Sequence, residues 1–176
     1  MRAALFFLLL AIAGCTSFAN PLVTDARAAP DQRLLGRWQG QFEDDDRITL
    51  EIRANGRSVL TTSAPDEPTE KVSFRLRTAT LAGLEIANLA VRDHGRKFWK
   101  LFRYELADGG ELRVFSCDDN RWYDAIRSGA LGGKASRDQH GYSTFVSAPS
   151  AALREFVAAS RESVFDSEPL VLRRTR

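Results

Sequence analysis

Histidine is the first shortage. The chain has two in 176 residues, His94 and His140, each followed by glycine in an expected turn. Zinc needs several His or Cys ligands at useful spacing, and no H-E-x-x-H or C-x-x-C is present. No G-x-S-x-G elbow marks a hydrolase nucleophile, so both histidines read as solvent-exposed turn residues. No glycine-rich phosphate loop follows a strand. Cysteine is equally scarce, with Cys15 and Cys117 the two present. The formal net charge is only +2, which supplies no field for nucleic acid or anionic lipid. Apolar runs are short as well. Ala3 to Ala13 would reach about 16 Å as a helix, against a hydrocarbon core about 30 Å thick. The chain has neither internal repeats nor low-complexity segments.

That short apolar run follows Met1-Arg2 and reads as the core of a signal peptide. It closes on Leu10-Ala11-Ile12-Ala13-Gly14-Cys15, which resembles the lipobox of bacterial lipoproteins. The resemblance implies cleavage after Gly14, a diacylglyceryl group on the Cys15 thiol and an acylated amino terminus, typically carrying palmitate. Each buried methylene contributes about 0.8 kcal/mol, so two or three chains on one residue would make a durable membrane anchor. Thr16 follows the cysteine instead of Asp, which implies the outer membrane, with the domain facing the periplasm. Loss of residues 1–14 would leave 162 residues, one domain's worth, at a net charge of +1. With Cys15 acylated, Cys117 has no intramolecular disulfide partner, and stability must come from packing.

Residues 15–31 read as the lipidated cysteine and a tether. Thr16 to Asp31 contains two prolines and little periodicity, and a flexible segment of that length spans roughly 20–24 Å. The alternative is that Pro21-Leu22-Val23 docks on the domain. Residues 32–176 read as a single β-rich domain. Arg47 to Arg53 alternates, with Ile48, Leu50 and Ile52 on one face, and Asn55-Gly56 signals a two-residue hairpin before Ser58 to Thr62. Lys71 to Arg77, Leu84 to Arg92, Lys97 to Leu106 and Glu111 to Cys117 continue an antiparallel meander. Asp118 or Asp119 caps a short helix near 118–128, with Trp122, Ile126 and Tyr123 on its buried side. Gly141 to Ser147 is a further strand. An amphipathic helix near 149–163 follows, with serine in the cap region, Pro149 in its first turn and Leu153, Phe156, Val157 and Ser160 on one face. Leu170 to Leu172 ends the pattern.

The fold class expected is therefore mainly β, a meander closing into a barrel or a strongly curved sheet. The order of Gly36-Arg37-Trp38, about eight strands, a helix and a last strand resembles the calycin group, the lipocalins and their bacterial relatives. The resemblance implies that Trp38 plugs the closed end of the barrel, with Arg173 or Arg174 packed over it. The T-D-Y motif of lipocalins is absent, and helix 118–128 has no counterpart.

Phe98, Lys100, Phe102, Tyr104 and Leu106 share one strand face, opposite Trp99 and Leu101. If that face lines a barrel, Lys100 among Phe74, Phe98, Phe102 and Tyr104 is a candidate contact for an acidic or amphipathic ligand. The alternative is that Lys100 snorkels near a barrel mouth. Trp99 and Leu101 then need cover from Leu153, Phe156 and Val157. Asp118 and Asp119 would raise the pKa of Cys117, which reads as structural. Glu43 with Asp44-Asp45-Asp46 lacks the spacing of a calcium loop and reads as a solvated turn. The function expected is a non-enzymatic envelope lipoprotein that needs no cofactor and binds an apolar or amphipathic ligand. The alternative is an interaction lipoprotein with a solid core, docking another envelope protein through an exposed surface or helix 118–128.

Overall fold

The structure, a computed structural model, describes residues 16–25, 28–41, 46–63, 68–93, 95–139 and 141–175. The signal segment, Cys15, Glu43 to Asp45, His94 and His140 lie outside the described residues. Eight antiparallel strands close into a barrel in chain order: β2 (Gly36–Gln41), β3 (Arg47–Ile52), β4 (Arg57–Ser63), β5 (Glu70–Leu81), β6 (Leu84–Asp93), β7 (Arg96–Ala107), β8 (Glu111–Phe115) and β11 (Leu170–Thr175). Strand β11 pairs with both β8 and β2, and that double pairing closes the ring. Of the two forms expected, barrel or curved sheet, the chain adopts the barrel.

Alternation sets the inward faces. Ile48 and Ile52 of β3, Phe74 and Leu76 of β5, and Phe102 and Tyr104 of β7 are buried in one cluster with Trp38, Leu112 and Leu172. The hairpins divide by turn chemistry. Asn55-Gly56 does not form a two-residue turn. The Gly56 N–H donates to the Arg53 carbonyl at 2.9 Å, Gly56 sits at φ +76°, and pairing resumes at Ile52–Ser58. This is the longer loop that ends in a left-handed glycine. The tight two-residue turn is Ala82-Gly83, both at positive φ (+52° and +83°), between Leu81 and Leu84.

Residues 116–169 form an insertion between β8 and β11. It holds α1 (Asp119–Arg127), β9 (Gly133–Asp138), β10 (Gly141–Val146) and α2 (Ser150–Ser160), the last continued by a 3-10 turn over Arg161–Val164. The Asp118 carboxylate caps α1 by accepting from the Asn120 and Arg121 amides. At α2 no serine caps: Pro149 takes that position, where no N–H is required, and makes no side-chain cap bond. Strand β9 was not expected, because its residues are almost all exposed and carry no alternation.

The largest departure is at the N-terminus. Thr16–Phe18 is a strand, β1, parallel to β10 and antiparallel to β7 at Phe18–Trp99. The segment expected to be a tether is packed on the domain, because Phe18, Leu22 and Val23 bury their side chains. The Val23 amide donates to buried Asn88 at 2.7 Å, and Asn20 donates to the Ala148 carbonyl at 3.0 Å. Docking of Pro21-Leu22-Val23 is thus the alternative the chain adopts.

A second core lies outside the barrel. Trp99 and Leu101 of β7 and Ile86 of β6 are covered by Phe18, Leu22, Leu153 and Val157, with Trp122 among them. Trp122 meets Phe18 edge-on at 4.8 Å and Phe156 at 5.2 Å, and its Nε1 donates to the Val164 carbonyl at 3.0 Å. One aromatic side chain therefore joins the N-terminal strand to both helices.

Inside the barrel, Gly40 stands where β11 crosses close to β2. A Cβ there would lie 2.5 Å from the Val171 carbonyl oxygen and 2.7 Å from Leu172 Cδ2. Backbone cannot yield easily, so Gly40→Ala is expected to cost about 1–3 kcal/mol, lowering the thermal midpoint by roughly 2–12 °C. Differential scanning calorimetry checks this; an unchanged midpoint would mean β11 is not held against β2.

Candidate functional site

The candidate site is the barrel interior. Its closed end is built around Trp38, which is fully buried and whose Nε1 donates to the Leu34 carbonyl at 2.7 Å. Arg174, directly opposite Trp38 across the β2–β11 pair, lays its guanidinium 4.6 Å from the Trp38 ring centroid. The same guanidinium donates to the Leu35 carbonyl at 3.0 Å and to the Arg33 carbonyl. Of the two arginines proposed for this place, Arg174 occupies it. The fold thus seals one end by a cation–π contact plus two charge-assisted hydrogen bonds.

At the foot of the cavity wall, the Tyr104 hydroxyl donates to Asp31 at 3.1 Å. Burial, reinforced by the charges of Asp31 and Glu85, raises the Tyr104 phenol well above its ordinary value. Asp31 is held below the usual carboxylate range, first by the side-chain hydrogen bonds from Arg33. Tyr104 therefore stays protonated and serves as a donor.

The cavity above the plug offers about 90 Å³ to the centre of a water-sized molecule, and the surface it presents is wholly apolar. That is space for several waters by volume, but a water needs two to four polar partners, so the interior favours a dry, apolar occupant. Phe74, Lys100, Phe102 and Tyr104 line it, together with Leu50, Leu60, Leu89 and Val114. Phe98 does not; it is half-buried beyond the lined region. The leucines and valine were legible by phase, since each is in step with Ile48, Phe74 or Phe102 on its own or the neighbouring strand.

Lys100 does not present its charge to the cavity. Only 4% exposed, it lines the interior with its stem and donates from Nζ to the Thr16 carbonyl at 2.9 Å. This is possible because β7 changes neighbours: residues 103–107 pair with β8, while Trp99 pairs with β1. Thr16 is the hub of this buried junction. Its hydroxyl donates to Asp119 at 2.6 Å and meets the Thr144 hydroxyl at 2.6 Å. Asn88 is buried alongside and donates to the Lys100 carbonyl at 3.3 Å. Nothing in the sequence brought Thr16, Asn88, Asp119 and Thr144 together, because single polar residues far apart in the chain carry no periodic signal of a shared junction.

Cys117 is a buried free thiol that donates to the Leu101 carbonyl at 3.4 Å. Burial first, then Asp119, pushes its pKa well above the ordinary thiol value. Such a group is neither a nucleophile nor a ready metal ligand. Among the described residues, no three His, Cys, Asp or Glu side chains gather to hold a metal ion.

Asp166 follows the bridge between Cys117 and Phe165 and titrates near 6, raised by burial and by Asp118 and Asp119. Unfolded, it should titrate near its ordinary 3.8. Its ionisation therefore opposes folding above about pH 6, and the penalty is absent below both values. Asp166→Asn is expected to melt higher than the native chain at pH 7, with the gap closing as pH falls from 6 toward 4. Lys100→Met keeps the stem but leaves the buried Thr16 carbonyl without its donor. It should cost about 1.5–3 kcal/mol in urea unfolding and speed proteolysis within residues 16–23.

No protein-family model matches the chain, and no curated protein or solved structure matches it significantly.

Proposed function

We propose that this protein is a calycin-like envelope lipoprotein, anchored through acylated Cys15, that holds a slim apolar molecule inside its barrel and performs no chemistry on it. The observation that carries the reading is the open, wholly apolar interior above a sealed end. The Trp38–Arg174 plug supports the calycin likeness, since that pairing of a first-strand Trp with a last-strand Arg is what the resemblance implies. The lipobox supports the anchor and, with Thr16 after the cysteine, an outer-membrane placement facing the periplasm. Engagement of Lys100 with Thr16 narrows the ligand: the enclosed portion is apolar, and among the described residues the cavity wall turns no cation toward an acidic headgroup. Binding then draws on desolvation of apolar surface, at about 25 cal/mol per Å².

Native mass spectrometry followed by solvent extraction tests this, because extraction releases a held molecule but not the covalent anchor. The expected result is one apolar molecule per chain. Val114→Phe fills the cavity from the β8 wall and should abolish uptake of a fluorescent fatty acid while the chain still melts cooperatively. A protein that yields no extractable molecule, with equal probe uptake by native and Val114→Phe chains, would overturn the reading in favour of a solid-core protein that docks an envelope partner.

A further inference from the structure

The position of β1 says how an anchored domain must sit. Thr16 is 1% exposed, with its carbonyl on Lys100 and its hydroxyl on Asp119 and Thr144. Cys15 is its covalent neighbour, about 3.8 Å away between Cα atoms. No flexible length therefore separates an acyl group on Cys15 from the packed domain.

The direction of exit follows from register. Strand β1 runs antiparallel to β7, with Phe18 opposite Trp99. Strand β7 runs from the far end of the barrel toward the end plugged by Trp38, so β1 runs from mid-barrel toward the far, unplugged end. Read backwards, the chain leaves β1 heading away from that far end.

Around this point lie the start of α1 and the first residues of β10. Asn120 and Arg137 are exposed, and Tyr123 and Tyr142 pack at 4.8 Å, with the Arg137 guanidinium 4.8 Å from the Tyr142 ring. Tyrosines with a stacked arginine are the side chains that seat at a lipid headgroup layer: rings at the apolar boundary, hydroxyl and guanidinium on phosphate and water. Asp118, Asp119 and Asp124 lie on the same element as Tyr123, and Asp138 on the same strand as Arg137. The face is thus mixed in charge and suited to zwitterionic phospholipid.

We propose that the domain lies directly on the phospholipid surface through the face bearing Asn120, Tyr123, Arg137 and Tyr142, with the unplugged end of the barrel turned away from the bilayer. This rests on acylation at Cys15. The barrel would then exchange its ligand with the aqueous space, and not by drawing lipid from the leaflet beneath it.

The test uses the full lipidated chain in phosphatidylcholine vesicles, with single nitroxide labels at Asn120→Cys, Arg137→Cys and Arg96→Cys. Buried Cys117 is out of the label's reach. Labels at 120 and 137 should collide with dissolved oxygen in preference to a water-soluble nickel complex, and the label at 96 should do the reverse. A long Gly-Ser spacer between Cys15 and Thr16 should abolish the difference. Labels equally exposed to water at all three sites, or a label at 96 as lipid-exposed as that at 137, would overturn the placement. Mass spectrometry of the N-terminal peptide separates the two claims. An unacylated Cys15 overturns the anchor as well, whereas an acylated chain with the wrong label pattern overturns the placement alone.

Discussion

Strand β7 is buried on both faces, and the rest of the molecule answers that constraint. Trp99 to Tyr104 are six consecutive buried residues. One face belongs to the barrel interior through Phe102 and Tyr104, and the other to the outer core through Trp99 and Leu101. An antiparallel barrel ordinarily leaves its outer surface to water and reads as clean alternation. Here the apolar outer face must be covered, and the cover comes from opposite ends of the chain: residues 16–23 before the barrel, and the 116–169 insertion late in it. Arg77 and Lys97, at 5.0 and 4.6 Å from the Trp99 ring centroid, close the remaining margin.

The same constraint explains a buried ammonium. Lys100 falls in the inward phase of β7 where the strand exchanges β8 for β1 along one edge. An ammonium inside an apolar barrel would be untenable without a partner, since burying an unpaired charge costs several kcal/mol. The gap left by β8 admits the side chain to the Thr16 carbonyl, so a polar end is satisfied outside while four methylenes line the interior. Asn88 repeats this on the outer face by accepting from Val23 and donating to Lys100. Packing of the N-terminal segment and polarity of the cavity are thus settled by one set of hydrogen bonds.

Long-period features were legible in the sequence and short ones were not. The alternation of Ile48, Leu50 and Ile52, the phase of β7 and the Asp118 cap all follow from local pattern, and the structure has them in place; the packing of an arginine over Trp38 was implied by the resemblance alone. Cover of Trp99 and Leu101 by Leu153 and Val157 was also legible, because two apolar faces of matching size had no other partner. Strand β1 was invisible, since three residues cannot display a period of two. Strand β9 was invisible because Gly133 to Asp138 pairs on one edge and buries little. Phe98 was placed in the cavity by phase alone; phase says which face a side chain takes, not how far along the barrel the open space extends.

The pairing of Trp38 with Arg174 joins residues near opposite ends of the chain. Barrel closure is therefore a late event: β2 has no second neighbour until β11 has been made and the whole 116–169 insertion has been folded aside. The β2–β11 and β1–β10 contacts are of high sequence separation, and such topologies fold slowly because loop entropy is lost before the contact is gained. Until then the β2 edge is unpaired, a template for wrong partners. A chain that emerges vectorially, amino end first, therefore leaves that edge open until residues 170–175 have followed.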